Sequence, residues 1–128
     1  MVSPSQPKDT TSQTFVLPSS SRTLGYATYG APPSPTVPTI LYFHGFPTSR
    51  LEAALCARVP FPLHIIAIDR PGIGISTFQP NRRILDWPAD VLALIDHLNI
   101  AAFYVLGDSG GAPYALILIC VKEIPGRG

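Results

Sequence analysis

A serine set among glycines is the residue of this chain best suited to covalent chemistry. It stands at the centre of Gly107-Asp108-Ser109-Gly110-Gly111. A serine hydroxyl attacks a carbonyl carbon when a turn exposes it and a neighbouring base accepts its proton. This pentapeptide fits two unrelated settings, a loop on an antiparallel β-barrel or a sharp turn between a strand and a helix. The elements around it decide which setting applies.

Continuous apolar runs predict strands that are buried on both faces of a parallel sheet. They cover residues 39–43, 63–68 and 102–106, and each stops at a polar residue or a glycine. Their length and their β-branched and aromatic residues favour strands over helices. Shorter patterns at residues 15–17 and 23–29 predict two further strands.

Helical spacing separates these strands. Apolar residues recur at helical intervals in residues 51–59, behind a predicted cap at residues 48–49, and in residues 86–99, where Asp86 is the predicted cap. A third helical pattern follows the serine at residues 112–120. The alternation of strands and helices predicts an α/β fold with a doubly wound, mostly parallel sheet.

The strand before Ser109 and the helix after it favour the strand-to-helix turn. An antiparallel barrel would need many short strands and roughly twice this chain length. Gly107 and Gly111, two residues to either side of the serine, let the strand and the helix approach closely. The backbone N–H of Gly110 would then point toward a developing oxyanion, assisted by the N-terminus of the helix.

From residue 24 to residue 124 the sequence resembles the α/β-hydrolase family. Three motifs carry the resemblance in the family's order: YFHGFPTSR at residues 42–50, DRPGIGIS at 69–76 and GDSGG at 107–111. They are similar to the family's oxyanion loop, to its turn after the fourth strand and to its nucleophile turn. The resemblance implies a sheet of the α/β-hydrolase type, truncated after the helix that follows the fifth strand.

The resemblance also implies a role for each matching position. Ser109 would be the nucleophile, and the backbone N–H groups of Phe46 and Gly110 would bind the oxyanion. The other matching positions would support the two turns: His44, Gly45, Gly107, Asp108 and Gly111.

A serine at the nucleophile position predicts the class of reaction. Family members that open epoxides or remove halides carry Asp there, whereas Ser109 predicts acyl transfer from an ester, a thioester or an amide. Phe46, Ile73 and Ile75 would line the mouth of the site, which indicates a small, apolar substrate.

The catalytic partners of the serine are not found in this sequence. A serine nucleophile needs a histidine base and an acid that orients it, and in this family both follow the serine. Residues 110–128 contain no histidine and a single acid, Glu123. His64, at the start of a strand, and His97, at the end of a helix, are expected to be structural. The chain by itself is therefore expected to be inactive.

These patterns predict a flexible leader over residues 1–14 and the N-terminal part of an α/β-hydrolase domain over residues 15–128. The lid and the C-terminal half of the family's domain are expected to be absent. Two function hypotheses remain open: a serine hydrolase, or a non-catalytic fragment of the fold that only binds or supports something else. The missing histidine favours the second hypothesis for this chain, and the intact serine turn favours the first for a parent protein.

Composition argues against several other functions. A net charge of +1 gives no attraction to nucleic acid or to an anionic membrane surface. Arg70, Arg82 and Arg83 come nearest to a basic cluster, and the adjacent Arg82 and Arg83 are expected to be solvated in a polar loop. The longest apolar run, residues 112–121, is too short to span a bilayer. No cluster of ligand-forming residues predicts a metal, and no cofactor is implied.

The location of the protein is predicted from its N-terminus and its cysteines. The polar N-terminus lacks the pattern of a secretory signal. Cys56 and Cys120 lie in apolar segments, which predicts two buried thiols rather than a disulfide. The chain is therefore expected to be cytoplasmic. Its expected partner, given the serine turn, is a small-molecule substrate.

The strand that carries Ser109 is expected to form an edge of the sheet, because no later strand is predicted to pair with it. An unpaired edge strand offers its backbone donors and acceptors to other chains. We expect the 128-residue chain to self-associate through this edge, which sedimentation at increasing protein concentration measures. A monodisperse monomer that unfolds cooperatively would contradict this expectation.

Overall fold

The structure, a computed structural model, describes residues 9–122 and contains a five-stranded sheet. Its strands are β1 (Gln13–Val16), β2 (Thr23–Gly30), β3 (Thr39–Phe43), β4 (His64–Ile68) and β5 (Tyr104–Gly107). Its longer helices are the 3-10 helix η1 (Arg50–Arg58) and the α-helices α1 (Trp87–His97) and α2 (Ala112–Lys122). Short 3-10 turns at Ile84–Asp86 and Ser109–Gly111 lead into the two α-helices.

The strands follow the order β1-β2-β4-β3-β5 across the sheet. β3 pairs with β4 and with β5 in parallel, whereas β1 and β2 join as antiparallel strands. η1 packs on one face of the sheet, and α1 and α2 pack on the other. This arrangement confirms the predicted α/β fold, and β5 lies at one edge of the sheet.

The register of the parallel strands brings their carboxyl ends to one edge. Phe43, at the end of β3, lies opposite Ile68 of β4 and Gly107 of β5. The chain leaves all three strands at the same level, so the loops that follow them converge. In open α/β sheets this edge is where ligands bind.

The larger core lies between the sheet and the two α-helices. Trp87 contacts Phe43 and Tyr114 edge to face, with ring centroids 5.3 and 5.8 Å apart. This core also contains Leu41, Ile66 and Ile68 from the sheet and Val91, Leu94 and Ile95 from α1. The smaller core, under η1, contains Tyr42, Ala53, Ile65 and Ala67. Because neighbouring residues of a strand face opposite sides, β3 and β4 contribute to both cores.

η1 and α1 begin near the predicted positions, but only η1 has the side-chain cap that was predicted for it. The segment predicted as helical over residues 51–59 forms η1, and the Ser49 hydroxyl accepts a hydrogen bond from the Leu51 amide. Asp86 does not cap α1 with its side chain, because its own backbone is already helical (φ −79°, ψ −19°) whereas a capping residue is extended. Its carboxylate instead accepts hydrogen bonds from the amide and the guanidinium of Arg83.

Residues 9–14 are attached to the sheet, which differs from the leader predicted over residues 1–14. The Thr28 amide donates to the Thr10 carbonyl at 2.8 Å, and the Thr10 hydroxyl donates to the Thr28 carbonyl at 2.7 Å. Residues 13–14 belong to β1. The polar side chains of this segment favoured a solvated leader. Its attachment to β2 is made mainly by backbone groups, which depend little on the side chains. Residues 1–8 lie outside the described residues.

The structure also tests the predictions that both cysteines are buried thiols and that no segment spans a membrane. Cys56 and Cys120 are both free thiols. Both were predicted to be buried, but Cys56 is only partly buried and Cys120 is exposed, because α2 directs Leu118 into the core instead of Cys120. Within residues 9–122, no helix is long and apolar enough to cross a membrane.

A buried ion pair joins η1 to the end of β4. The Arg50 guanidinium donates to Asp69 Oδ2 at 2.8 Å, and the Arg50 amide donates to Asp69 Oδ1 at 2.8 Å. The guanidinium also donates to the Thr11 carbonyl and the Ser12 hydroxyl. Asp69 accepts a further bond from the Ile75 amide at 3.0 Å. The pair therefore holds the N-terminal segment, η1 and the loop after β4 together.

Asp69→Asn should lower the free energy of unfolding by about 3 kcal/mol, because it leaves the buried Arg50 cation without its anion. Asp96→Asn, at an exposed position of α1, is the matched control and should change that free energy by less than about 0.5 kcal/mol. Urea unfolding followed by circular dichroism measures both variants. Equal stability of the two variants would contradict the expectation that the buried Arg50 depends on Asp69 for its counter-charge.

Candidate active site

Two turns meet at the carboxyl edge of the sheet: the HG turn (residues 44–47), which follows β3, and the serine turn (residues 108–111), which follows β5. A methyl group built on Gly45 would lie 3.4 Å from Cβ of Ser109. One built on Gly110 would lie 3.5 Å from the amide nitrogen of Phe46. The fold therefore brings the Ser109 side chain next to Gly45, and it brings together Gly110 and Phe46, the two residues whose amides the sequence singled out.

Ser109 occupies a strained backbone conformation. Its φ is 49°, in the left-handed region that costs energy for a residue with a β-carbon. The Asp108 amide donates to the Phe43 carbonyl at 3.0 Å, and the Gly111 amide donates to the Asp108 carbonyl at 2.7 Å. These bonds hold the backbone on both sides of Ser109, whose side chain is exposed.

The serine turn fits against β3 only because glycines stand at its ends. A Cβ on Gly111 would lie 2.0 Å from the Phe43 carbonyl oxygen, and one on Gly107 would lie 2.6 Å from the Gly111 carbonyl oxygen. Real β-carbons do not approach backbone atoms so closely. A larger residue at Gly111 would push the turn away from the end of β3, and one at Gly107 would push the turn away from β5.

His44 is fully buried in the HG turn, with both ring nitrogens engaged. Its Nδ1 donates to the Gly45 carbonyl at 2.8 Å, and its Nε2 accepts the Arg70 amide hydrogen at 3.2 Å. This pattern requires the neutral ring with the proton on Nδ1. Burial lowers the pKa of His44, and the Arg70 guanidinium lowers it further. The ring is therefore an anchor of the turn and not a free base.

Arg70 is the residue of this edge that the sequence analysis missed. It is only 3% exposed, and its guanidinium donates to the carbonyls of His44 and Gly45 while lying 4.5 Å from the centre of the Tyr114 ring. The HG turn and α2 close over it. Burial lowers the pKa of Arg70. Its place directly after the last residues of a buried strand was the available signal.

Glu52 of η1 holds the other side of the HG turn. Its carboxylate accepts hydrogen bonds from the Tyr42 hydroxyl at 2.8 Å and from the Gly45 amide at 3.1 Å. Burial opposes ionisation, but these bonds outweigh it and lower the pKa of Glu52. The charge of Glu52 in turn raises the pKa of Asp108, which precedes the serine. A carboxyl pair thus lies beside the serine turn.

The other histidines lie away from Ser109. His64 begins β4, at the opposite end of the sheet, and its Nδ1 bonds the Ala31 carbonyl at 2.9 Å. His97 ends α1 and stacks on Phe15 with ring centroids 4.5 Å apart. Glu123, the acid that follows the serine, lies outside the described residues.

The predicted apolar mouth is only partly assembled. Phe46 is 80% exposed in the HG turn beside the serine. Ile75 instead covers Gly25 of β2, where a Cβ would lie 2.1 Å from Cγ1 of Ile75, because the loop after β4 bends back across the sheet. Among residues 9–122, no group of three or more His, Cys, Asp or Glu side chains is placed to hold a metal ion.

The lowered pKa of His44 predicts a pH dependence of stability. The unfolded chain, with an ordinary histidine pKa of 6.5, binds the proton more readily than the folded chain does. This contribution to stability is therefore complete above pH 6.5 and shrinks as the pH falls below that value. His44→Gln should lose this part of the pH dependence between about pH 7 and pH 5.

Urea unfolding at a series of pH values measures the effect of His44→Gln. The matched control is His97→Gln, which changes a histidine that stacks on Phe15 and contacts neither turn. Superimposable profiles for wild type and His44→Gln would contradict the assignment of His44 as a neutral anchor.

Comparisons with known proteins agree with this architecture. A family model described as the alpha/beta hydrolase fold matches residues 38–125. No curated protein matches the sequence. Among solved structures, a hypothetical protein from Pseudomonas aeruginosa PAO1 aligns with a TM-score of 0.74 at 23% identity, over 91% of this chain and 40% of that chain.

Two further solved structures carry functional descriptions. A haloalkane dehalogenase loop variant from Bradyrhizobium elkanii aligns with a TM-score of 0.62 at 31% identity, over 84% of this chain and 35% of that one. A membrane phospholipase A, described as a bacterial virulence factor, aligns with a TM-score of 0.70 at 22% identity, over 84% of this chain and 34% of that one. This chain thus spans well under half of the length of each of these structures.

The family model covers more than half of the sequence and includes both turns of the candidate site. The observed sheet order, with parallel β3, β4 and β5 and helices on both faces, agrees with it. The chain belongs to the alpha/beta hydrolase fold family.

Proposed function

We propose that this chain carries the nucleophile and the oxyanion-binding groups of a serine hydrolase that acts by acyl transfer. The observation that carries the proposal is the exposed Ser109, at a φ of 49°, in a turn whose Gly110 lies beside the Phe46 amide nitrogen. A strained turn that lifts a serine hydroxyl above the sheet edge is the arrangement that such a nucleophile needs.

In the proposed reaction, Ser109 Oγ forms a bond to the carbonyl carbon of an ester, thioester or amide while a base takes its proton. The carbonyl oxygen becomes an oxyanion that accepts hydrogen bonds from the amides of Phe46 and Gly110. The bond to the leaving group then breaks, and the leaving group takes the proton from the base. Water next attacks the acyl-serine, releases the acid and restores the hydroxyl.

The base is proposed to come from outside this sequence. His44 has both ring nitrogens engaged, His64 lies at the far end of β4, and His97 stacks on Phe15. None of these described side chains is placed to take the proton of Ser109. We therefore expect the 128 residues to react with a substrate slowly and without turnover unless an imidazole is supplied.

The proposed substrate is small and apolar near its carbonyl group. The exposed Phe46 ring beside Ser109 supports an apolar acyl or alcohol group, since its contact with such a group would remove apolar surface from water. A serine nucleophile supports attack on a carbonyl carbon rather than on a carbon that bears a halide or an epoxide oxygen.

A fluorophosphonate should become attached to Ser109. The serine oxygen bonds to phosphorus, a base takes the serine proton, the P–F bond breaks to release fluoride, and the phosphoryl oxygen takes the place of the oxyanion. Added imidazole should accelerate the labelling by at least about tenfold, since a general base typically contributes more than that. Mass spectrometry of the digested protein identifies the labelled residue and gives the rate.

Two serine variants make the labelling specific. Ser109→Ala should abolish the label, whereas Ser19→Ala, at an exposed position between β1 and β2, should leave its rate unchanged. A label that survives Ser109→Ala, or an unlabelled Ser109 at every imidazole concentration, would overturn the proposal.

A non-catalytic role is the second candidate, and the engagement of all three histidines favours it. On this hypothesis the chain is a scaffold or binding piece of the hydrolase fold. Imidazole would then not accelerate labelling of Ser109, and hydrolysis of an activated ester would be the same in the wild type and in Ser109→Ala.

A further inference from the structure

The carbonyl oxygen of Gly45 accepts three hydrogen bonds, an unusual number for one backbone group. Its donors are His44 Nδ1 at 2.8 Å, the Thr48 hydroxyl at 3.0 Å and Arg70 Nη2 at 3.4 Å. We call this set of donors the carbonyl clamp. A carbonyl oxygen has two lone pairs, so the clamp uses its full accepting capacity.

The carbonyl clamp fixes the direction of a neighbouring amide. The Gly45 carbonyl and the Phe46 N–H belong to one peptide group, and in a trans peptide these two bonds point in opposite directions. The cis peptide of this turn is the next one, between Phe46 and Pro47. Donors that hold the Gly45 oxygen on one side therefore direct the Phe46 N–H to the other side. Gly110 lies beside this amide nitrogen.

Arg70 differs from the other two donors because it is charged and buried. In the described part of the chain, the ion pairs are Arg22–Asp90, Arg50–Asp69 and Arg83–Asp86, and Arg70 belongs to none of them. Its charge acts on the carbonyls of His44 and Gly45, to which it donates. Hydrogen bonds from charged donors are roughly twice as strong as those between neutral groups.

The position of Arg70 is fixed from two sides. Its backbone amide donates to His44 Nε2, and its guanidinium lies over Tyr114, a residue of the helix that follows the serine turn. Tyr114 in turn contacts Trp87 of the larger core. Arg70 thus connects the HG turn, which carries the Phe46 amide, to α2, which directly follows the serine turn and its Gly110 amide.

We propose that Arg70 is a positioning residue, which aims and polarises the Phe46 N–H through the Gly45 carbonyl. This inference rests on the proposed function, in which that N–H binds the oxyanion. A donor on a carbonyl oxygen draws electrons from the whole amide group, so it makes the N–H of the same group a stronger donor. Arg70 itself does not touch the substrate.

The test uses the full chain, isotopically labelled, with two measurements on each variant. The first is the NMR shift of the Gly45 carbonyl carbon and the Phe46 amide, which reports the clamp without any reaction. The second is the rate at which a fluorophosphonate labels Ser109 with imidazole present. Arg70→Met should shift both NMR signals and slow labelling about ten- to a hundredfold. The upper end is the cost of losing one oxyanion donor outright, and a donor that is only misdirected should cost less.

Two arginine variants distinguish positioning from bulk or general charge. Arg70→Lys should recover part of the labelling rate, because it keeps the charge but lacks the planar fork that reaches both carbonyls. Arg82→Met is the matched control: this exposed arginine also lies over Tyr114, at 5.8 Å, but makes no hydrogen bond to the HG turn. It should leave both measurements unchanged.

Thr48→Val keeps the test decisive if Arg70→Met fails to fold, because it removes one clamp donor at an exposed position. It should move the Phe46 amide signal and slow labelling several-fold. Unchanged NMR signals in folded Arg70→Met or Thr48→Val, or an equal effect of Arg82→Met, would overturn the inference. Absence of Ser109 labelling in the wild type would overturn the proposed function instead, while the NMR measurement would still decide whether Arg70 orients the amide.

Discussion

The close contact between the end of β3 and the serine turn is the constraint on which the candidate site depends. Parallel pairing places Phe43 opposite Gly107, so the chain leaves both strands at the same level. The turn can then dock on β3 only where no β-carbon intervenes, as at Gly111. This contact fixes the Asp108 and Ser109 backbone, and the left-handed conformation of Ser109 follows from it.

Two arginines near this edge show different ways of burying a positive charge. Arg50 is neutralised by Asp69 and joins segments that are distant in the sequence. Arg70 donates to backbone carbonyls and lies on an aromatic ring, without an ion pair among the described residues. The charge of Arg50 is balanced by a carboxylate, whereas a charge bonded to carbonyls polarises the peptide groups that it holds.

The HG turn is held between opposite charges. Glu52 accepts the Gly45 amide from the η1 side, and Arg70 donates to the Gly45 carbonyl from the α2 side. Neutral His44 bonds to the Gly45 carbonyl and to the Arg70 amide. Because both the amide and the carbonyl of Gly45 are held, the Phe46 amide that follows keeps a single orientation. A preorganised anion site requires such a fixed donor.

The sequence by itself determined the strands, the helices, their α/β arrangement and the position of the serine turn, because apolar periodicity and glycine spacing are local. It did not determine that Arg70 is buried, that Asp86 bonds to Arg83 or that Ile75 covers Gly25. Those contacts depend on which loops converge at the carboxyl edge of the sheet. Only the tertiary structure decided them, since the partners of each side chain come from separate parts of the chain.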